Sequence, residues 1–216
     1  MLRRICLTAV AIGFLVSFCY GASFKEDFEK GSLKGWEIEG DAKASGEQKH
    51  GGTKSLFVPK GSKAIWIVSQ ENKYGKVTFW LYDSKVGGKI KGNANGPRWG
   101  VTNADGDCLV LGIVNREGPH IKWGTYYWCS TLENAWYDWW YPGGKFNRDN
   151  IKQGWHKFVF NLPDEKTLEV TMDDDAVADI PIEKTMFTKG FTGVYFEGGK
   201  DGEEKFYFDD IEIVIK

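Results

Sequence analysis

Past an apolar N-terminal stretch, the apolar runs of this chain are short, alternate with polar residues and are closed by Gly, Asn, Asp or Lys. "KSLFVP", "KAIWIVSQ", "KVTFWLYD", "DCLVLGIVN", "HKFVFNL", "TLEVTMD", "FTGVYFEG" and "FYFDDIEIVI" all read this way. Period-two alternation puts successive side chains on opposite faces of a strand, whereas an amphipathic helix needs apolar residues at i, i+3, i+4 and i+7. No segment of helical length carries that stripe, and "PIEKTMF" holds at most one or two turns. In "KVTFWLYD" the alternation sorts Val77, Phe79 and Leu81 onto one face and Thr78, Trp80 and Tyr82 onto the other. Phe158, Phe160 and Leu162 align likewise, as do Leu168, Val170 and Met172. Strands with one apolar face must bury it against a second sheet, so the pattern predicts an all-β, two-sheet antiparallel sandwich.

Turn chemistry supports this reading. Trp99 to Asn103, a turn at Ala104-Asp105-Gly106, and Asp107 to Val114 form a predicted hairpin. Asn103, Asp105 and Asp107 alternate as in a calcium loop, but the glutamate such a loop requires is missing, which leaves a plain turn. Gly-rich "VGGKIKGNANGPRWG" precedes no helix, so it lacks the phosphate-binding arrangement of a glycine loop and helix N-terminus and reads as a long surface loop.

At the N-terminus, Arg3 and Arg4 precede the apolar run "ICLTAVAIGFLVSF" and the small residues of "CYGAS", the pattern of a secretory signal over residues 1–22. The run is short for a bilayer span, so no membrane span is expected in the mature chain. Residues 23–216 then form one β-sandwich domain, secreted, periplasmic or at the cell surface. A formal charge of −2 with both signs scattered excludes a basic nucleic-acid footprint. In an oxidising compartment Cys108 and Cys129 are the pair left to form a disulfide, closing a loop of about 20 residues that contributes roughly 3 kcal/mol.

In their order along the chain, "EDFEKGSLKGWEIEG", "HGGTKSLFV", "KVTFWLYD", "WGVTNADGDCLVLGI", "GWHKFVFNLPDEKTLEVTMDD" and "FTGVYFEGG…FYFDDIEI" resemble the concanavalin A-like (laminin G-like) jelly rolls of secreted lectins, carbohydrate-binding modules and glycanases. The galactose-binding-like jelly roll, which also opens "DFE-x-G" and ends "DDI", is the alternative. The resemblance implies glycan binding and neighbouring first and last strands. Asp27, Glu29 and Asp209 would then gather hard oxygen ligands suited to a structural Ca²⁺.

The glycanases of that superfamily carry a strand motif E-x-D-x-E, whose same-face carboxylates supply nucleophile and acid. This chain lacks it; "EVTMDDD" and "DDIEI" are its nearest approaches, and in the second Asp210 and Glu212 share a face. A lyase needs a His, Tyr or Lys base beside an Arg or Asn, and His120, His156, Tyr126, Tyr127, Arg98, Arg116 and Arg148 are of the right types without a spacing that assembles them. Nucleophile elbows and His-x-x-x-His metal pairs are missing too. The sequence leans away from an enzyme, with a polysaccharide hydrolase or lyase as one alternative and a structural envelope or matrix protein as another.

Binding has the stronger signal. From Trp123 to Tyr141, "WGTYYWCSTLENAWYDWWY" holds nine aromatic residues in nineteen, too many for a core that must also satisfy each indole and phenol. Part of the segment must face outward, and an exposed aromatic patch marks an interaction surface. Pyranose rings suit it. Trp136, Tyr137, Trp139, Trp140 and Tyr141 are the expected platform, Trp80 and Tyr82 its extension, and Asn134, Glu133, Asp138 and Arg148 the polar rim. The expected partner is a carbohydrate, the oligomeric state being open.

Overall fold

The structure, a computed structural model, describes residues 21–84, 95–114, 126–132, 135–140, 151–179, 182–200 and 205–216. Strands β1 (Ala22–Glu26), β3 (Lys43–Ser45), β4 (Ser55–Val58), β6 (Gly75–Asp83), β11 (Gly154–Leu162), β12 (Glu169–Met172), β13 (Asp175–Asp179) and β15 (Phe206–Ile215) make an eight-stranded sheet. Its order is β13-β12-β11-β6-β15-β4-β3, with β1 also on β15. Strands β2 (Trp36–Glu39), β5 (Lys63–Ile67), β7 (Asn95–Thr102), β8 (Cys108–Val114), β9 (Tyr126–Leu132), β10 (Ala135–Trp140) and β14 (Gly193–Glu197) make a seven-stranded sheet in the order β10-β9-β8-β7-β14-β5-β2. Every pairing is antiparallel. A single 3-10 turn at Ile182–Lys184 stands where "PIEKTMF" reads as helical, and no α-helix occurs among the described residues.

The sheets meet through the faces that alternation selects. Val77, Phe79 and Leu81 are fully buried, as is Phe158, and Phe160, Leu162, Val170 and Met172 join them in the core. Aromatic rings form the seam: Phe196 of β14 stacks on Phe208 of β15 at 4.1 Å and meets Phe79 of β6 edge-on at 5.2 Å. Trp99 of β7 meets Phe158 of β11 at 5.4 Å. Because such rings interlock across the interface, truncating Phe79 to Ala is expected to cost about 3–5 kcal/mol.

The turns follow the local chemistry. Asn103 Oδ1 accepts the amides of Asp105 and Asp107 at 3.0 and 2.9 Å and closes the β7–β8 turn, so the alternating carboxamide and carboxylates there serve a hairpin. "EVTMDDD" is likewise a hairpin, in which Asp173 and Asp174 take φ of 51° and 68° between β12 and β13. The glycine-rich stretch departs from expectation. Residues 85–94 lie outside the described residues, but Asn95–Thr102 is strand β7, which β8 and β14 pair on either side. Pro97, without an amide hydrogen, falls where the β7–β8 register shifts between Asn95 and Arg98.

The β8–β9 register also bears on the expected disulfide. Cys129 is opposite Val110, two positions along from Cys108, so the cysteines are diagonal neighbours. Diagonal pairs stand about 7–8 Å apart, beyond the usual Cα separation of a disulfide. Cys108 Sγ instead points to Gly106 O at 3.8 Å and Thr102 Oγ1 at 3.9 Å, and burial pushes its thiol pKa up to about 12. The side chain of Cys129 lies outside the described residues, and the expected Cys108–Cys129 bridge with it.

Candidate functional site

Trp80 and Tyr82 lie where alternation places them, half-buried on the outer face of β6 in the eight-stranded sheet. Cross-strand register then assembles a row around Tyr82. Trp155 of β11 is opposite it on one side, Tyr207 of β15 on the other, and Phe57 of β4 is opposite Tyr207. Tyr82 meets Trp155 at 5.4 Å and Tyr207 at 6.2 Å, both edge to face, and Phe57 stacks on Tyr207 at 5.0 Å. Three strand spacings make this row roughly 14 Å wide. Tyr207 is buried beneath its neighbours, while Trp155, Tyr82 and Phe57 stay partly exposed.

One end of the row is closed by the loop between β3 and β4. The His50 ring lies on Trp80 at 3.9 Å and 16°, and meets Trp155 at 5.6 Å and 68°. Two carboxylates hold the loop. Asp209, opposite Trp80 in the ladder and fully buried, accepts the amides of His50 and Gly51 through Oδ2 at 2.9 and 3.3 Å. Burial raises its pKa, against the pull of the amides it accepts. Glu29 accepts the Thr53 and Lys54 amides through Oε1 at 2.7 and 2.8 Å, and the Thr53 hydroxyl through Oε2 at 2.7 Å. Those donors lower the Glu29 pKa, the Thr53 hydroxyl most. Gly52 is required between them: its φ is +56°, and a Cβ there would overlap the Glu29 carboxylate.

A β-bulge positions the remaining polar group. Between Asp209 and Glu212 the β15–β6 register shifts, with Asp210 at φ 46°. The Asp210 side chain thereby reaches His50, Nδ1 to Oδ2 being 2.7 Å. The bulge explains why "DDIEI" does not present a simple alternating pair of carboxylates.

Other expected site residues fall elsewhere. Trp136, Tyr137, Asp138, Trp139 and Trp140 lie in β10, at the end of the seven-stranded sheet's order, whereas Trp80 and Tyr82 belong to the eight-stranded sheet. The β9–β10 register shifts between Tyr137 and Trp140, and places both positions in rows running through the core residues Leu109 and Leu111. Position 136 falls in the alternate row, opposite Thr131. Glu133, Asn134, Tyr141 and Arg148 lie outside the described residues, as do Arg116 and His120.

For calcium, β1 and β15 are neighbours as expected, but β1 ends at Glu26 and Phe28 turns at φ 58°, so Asp27 and Glu29 do not share a strand face. Asp27 Oδ1 accepts the Glu29 amide at 3.1 Å, and Glu29 and Asp209 hold the loop. Among the described residues, no three His, Cys, Asp or Glu side chains gather as a metal site.

His156, on the inner side of β11, is also structural. Its ring nitrogens face Asp173 Oδ2 at 2.6 Å and Lys152 O at 2.7 Å, tying β11 to the β12–β13 turn. On the seven-stranded sheet's outer face, buried Arg98 pairs with Glu197 at 3.0 Å, and Tyr195 Oη donates to the same carboxylate oxygen at 3.0 Å. Burial, first, and the Glu197 charge raise the Tyr195 phenol's pKa. Beside it a groove of about 380 Å³ runs past Lys63, Ile65, Thr102, Asn103 and Tyr195.

No protein-family model matches the chain, and no curated protein sequence matches it. Solved structures do match in fold. A Bacteroides ovatus mixed-linkage glucan GH16 protein in complex with its G4G4G3G product aligns at TM-score 0.57 and 14% identity, over 88% of this chain and 99% of that one. The cellulose-induced protein Cip1 aligns at 0.56 and 14%, over 88% and 96%. Domain 4 of AbnA, an extracellular arabinanase from Geobacillus stearothermophilus, in complex with arabinotriose, aligns at 0.51 and 14%, over 91% and 93%. The chain spans 42% of the receptor-binding domain of botulinum neurotoxin C/D mosaic serotype, which aligns at 0.51 and 14% over 83% of this chain.

Proposed function

We propose that this chain is a non-catalytic carbohydrate-binding β-sandwich of the concanavalin A-like kind, secreted or at the cell surface, that holds a glycan against its aromatic row. The observation that carries the reading is the register of Trp155, Tyr82, Tyr207 and Phe57 on one outer sheet face, with Trp80 and His50 beside them. Rings outside the core that keep part of their surface exposed suit the apolar face of a sugar, while nearby polar groups bond its hydroxyls. The carbohydrate ligands named with the fold neighbours favour the same partner class. Against catalysis stand the hairpin role of "EVTMDDD", the bulge in "DDIEI", and the engagement of Arg98 and Tyr195 with Glu197.

Pull-down on insoluble cellulose, arabinan and mixed-linkage glucan tests the reading. Retention on at least one polymer, weakened several-fold by Trp155→Ala with the fold intact, is expected. Retention on none overturns it. Released reducing ends or an unsaturated product would assign a hydrolase or lyase instead, and self-association without glycan binding a structural role.

A further inference from the structure

We propose that His50 is the polar recognition element of the aromatic row, its Nε2 accepting a hydrogen bond from a ligand hydroxyl while the ligand's apolar face lies against Trp155. This rests on the glycan-binding reading and adds to it a specificity residue and a requirement for a hydroxyl donor beside the rings.

Three restraints fix an otherwise exposed side chain. The His50 amide is held by Asp209 Oδ2 at 2.9 Å, the ring is seated on Trp80 at 3.9 Å, and Nδ1 is held by Asp210 Oδ2 at 2.7 Å. They come from two neighbouring strands, β15 and β6, and the Asp210 contact depends on a non-glycine residue held at positive φ in a bulge. Such conformations persist only where the surroundings over-determine them.

The chemistry follows from the restraint. An ionised carboxylate only accepts, so Asp210 selects the tautomer with hydrogen on Nδ1. In the neutral ring the Nε2 lone pair is then an acceptor, and among the described residues no group donates to it. Trp155 stands edge-on to both His50 and Tyr82, so the acceptor adjoins partly exposed aromatic surface. A sugar offers both halves of the match, a hydroxyl donor and an apolar ring face.

The charged groups around His50 are Asp209 and Asp210 from β15, Lys49 beside it in the loop, and Lys157, which is opposite Trp80 and bonded to Asp174 at 3.2 Å.

Affinity electrophoresis of the full chain through gels containing soluble mixed-linkage glucan and, in parallel, arabinan tests this, with thermal melting to confirm folding. His50→Phe keeps a ring for Trp80 but has no acceptor, His50→Gln keeps an acceptor without the ring, and Asp210→Gly suits the local φ while removing the orienting carboxylate. At about pH 7.5 the Phe and Gly variants should bind at least fivefold more weakly, and His50→Gln should fall between them and the parent. A retarded parent matched by His50→Phe overturns the role of His50 and leaves the glycan reading standing. A parent unretarded by both polymers that also fails the pull-down overturns both.

Discussion

On the outer face of the eight-stranded sheet, Trp155, Tyr82 and Phe57 keep part of their large apolar surface exposed; on that of the seven-stranded sheet, Arg98 and Tyr195 are buried around one carboxylate. Each face holds the residue type the other would be expected to bury. The exposed rings contribute less stability than they would inside, which makes their retention at the surface informative about binding. The buried ion pair gains stability while complete, because each charge there offsets the other in a poorly solvated place. Substitutions should therefore separate the faces, one losing binding and the other losing the fold.

The largest effect is expected from Glu197→Ala. Arg98 is about 1% exposed and its Nη1 donates to Glu197 Oε2 at 3.0 Å, so breaking this pair should cost more than the roughly 1 kcal/mol of a surface ion pair in denaturant unfolding. A loss under about 1 kcal/mol would place the pair with surface ion pairs and remove the contrast. The next effect belongs to the row. Trp155→Ala should weaken polysaccharide retention several-fold while costing about 1 kcal/mol, the scale of a lost aromatic pair. If it destabilises as much as Glu197→Ala, the row is a buried packing element and not a binding face.

Strand faces were legible because alternation needs only local sequence: Val77, Phe79 and Leu81 point inward and Trp80 and Tyr82 outward, as the pattern requires. The row was not, because its members come from strands far apart in the chain and only register makes Trp155, Tyr82, Tyr207 and Phe57 neighbours. A weak signal existed. Each of the four is the outward residue beside inward ones, as Trp155 is beside His156, and sequence reasoning weighed the histidine instead. Local alternation also fails at bulges, which is why the carboxylates of "DDIEI" and the rings of β10 could not be sorted by counting. Trp136 to Tyr141 drew attention by density, whereas the described row is spread through the chain one ring per strand.

The loop that covers the row offers a subtler test, because its two anchoring carboxylates shift in opposite directions. Glu29 has its pKa lowered from 4.5, so its contribution is present above that value and lost as pH falls through the lowered folded value. Asp209 has its pKa raised from 3.8, so its contribution has the reverse sign, greatest below 3.8 and lost as pH rises through the raised folded value. Glu29→Gln should lower stability at neutral pH, with the difference from the parent closing toward acid. Asp209→Asn should flatten the opposing limb. If Glu29→Gln leaves the pH profile of melting unchanged, the loop is not held by that carboxylate.

The smallest effect is expected from reduction. If Cys108 and Cys129 were bridged, reduction would release a constraint on a loop of about 20 residues and lower stability by roughly 3 kcal/mol. The diagonal register and the contacts of Cys108 with Thr102 and Gly106 instead predict no change in melting temperature with reductant. Alkylation separates the cases more directly. A buried thiol with its pKa near 12 holds almost no thiolate at neutral pH, so Cys108 should resist alkylation in the native protein. Once the chain is unfolded without reductant it should be labelled quantitatively, as seen by peptide mass mapping. Failure to label Cys108 in the unfolded, unreduced protein, together with a reductant-sensitive melt, would show that the two strands can shift far enough to close the bridge, and would reopen the register of β9 and of the aromatic strand beside it.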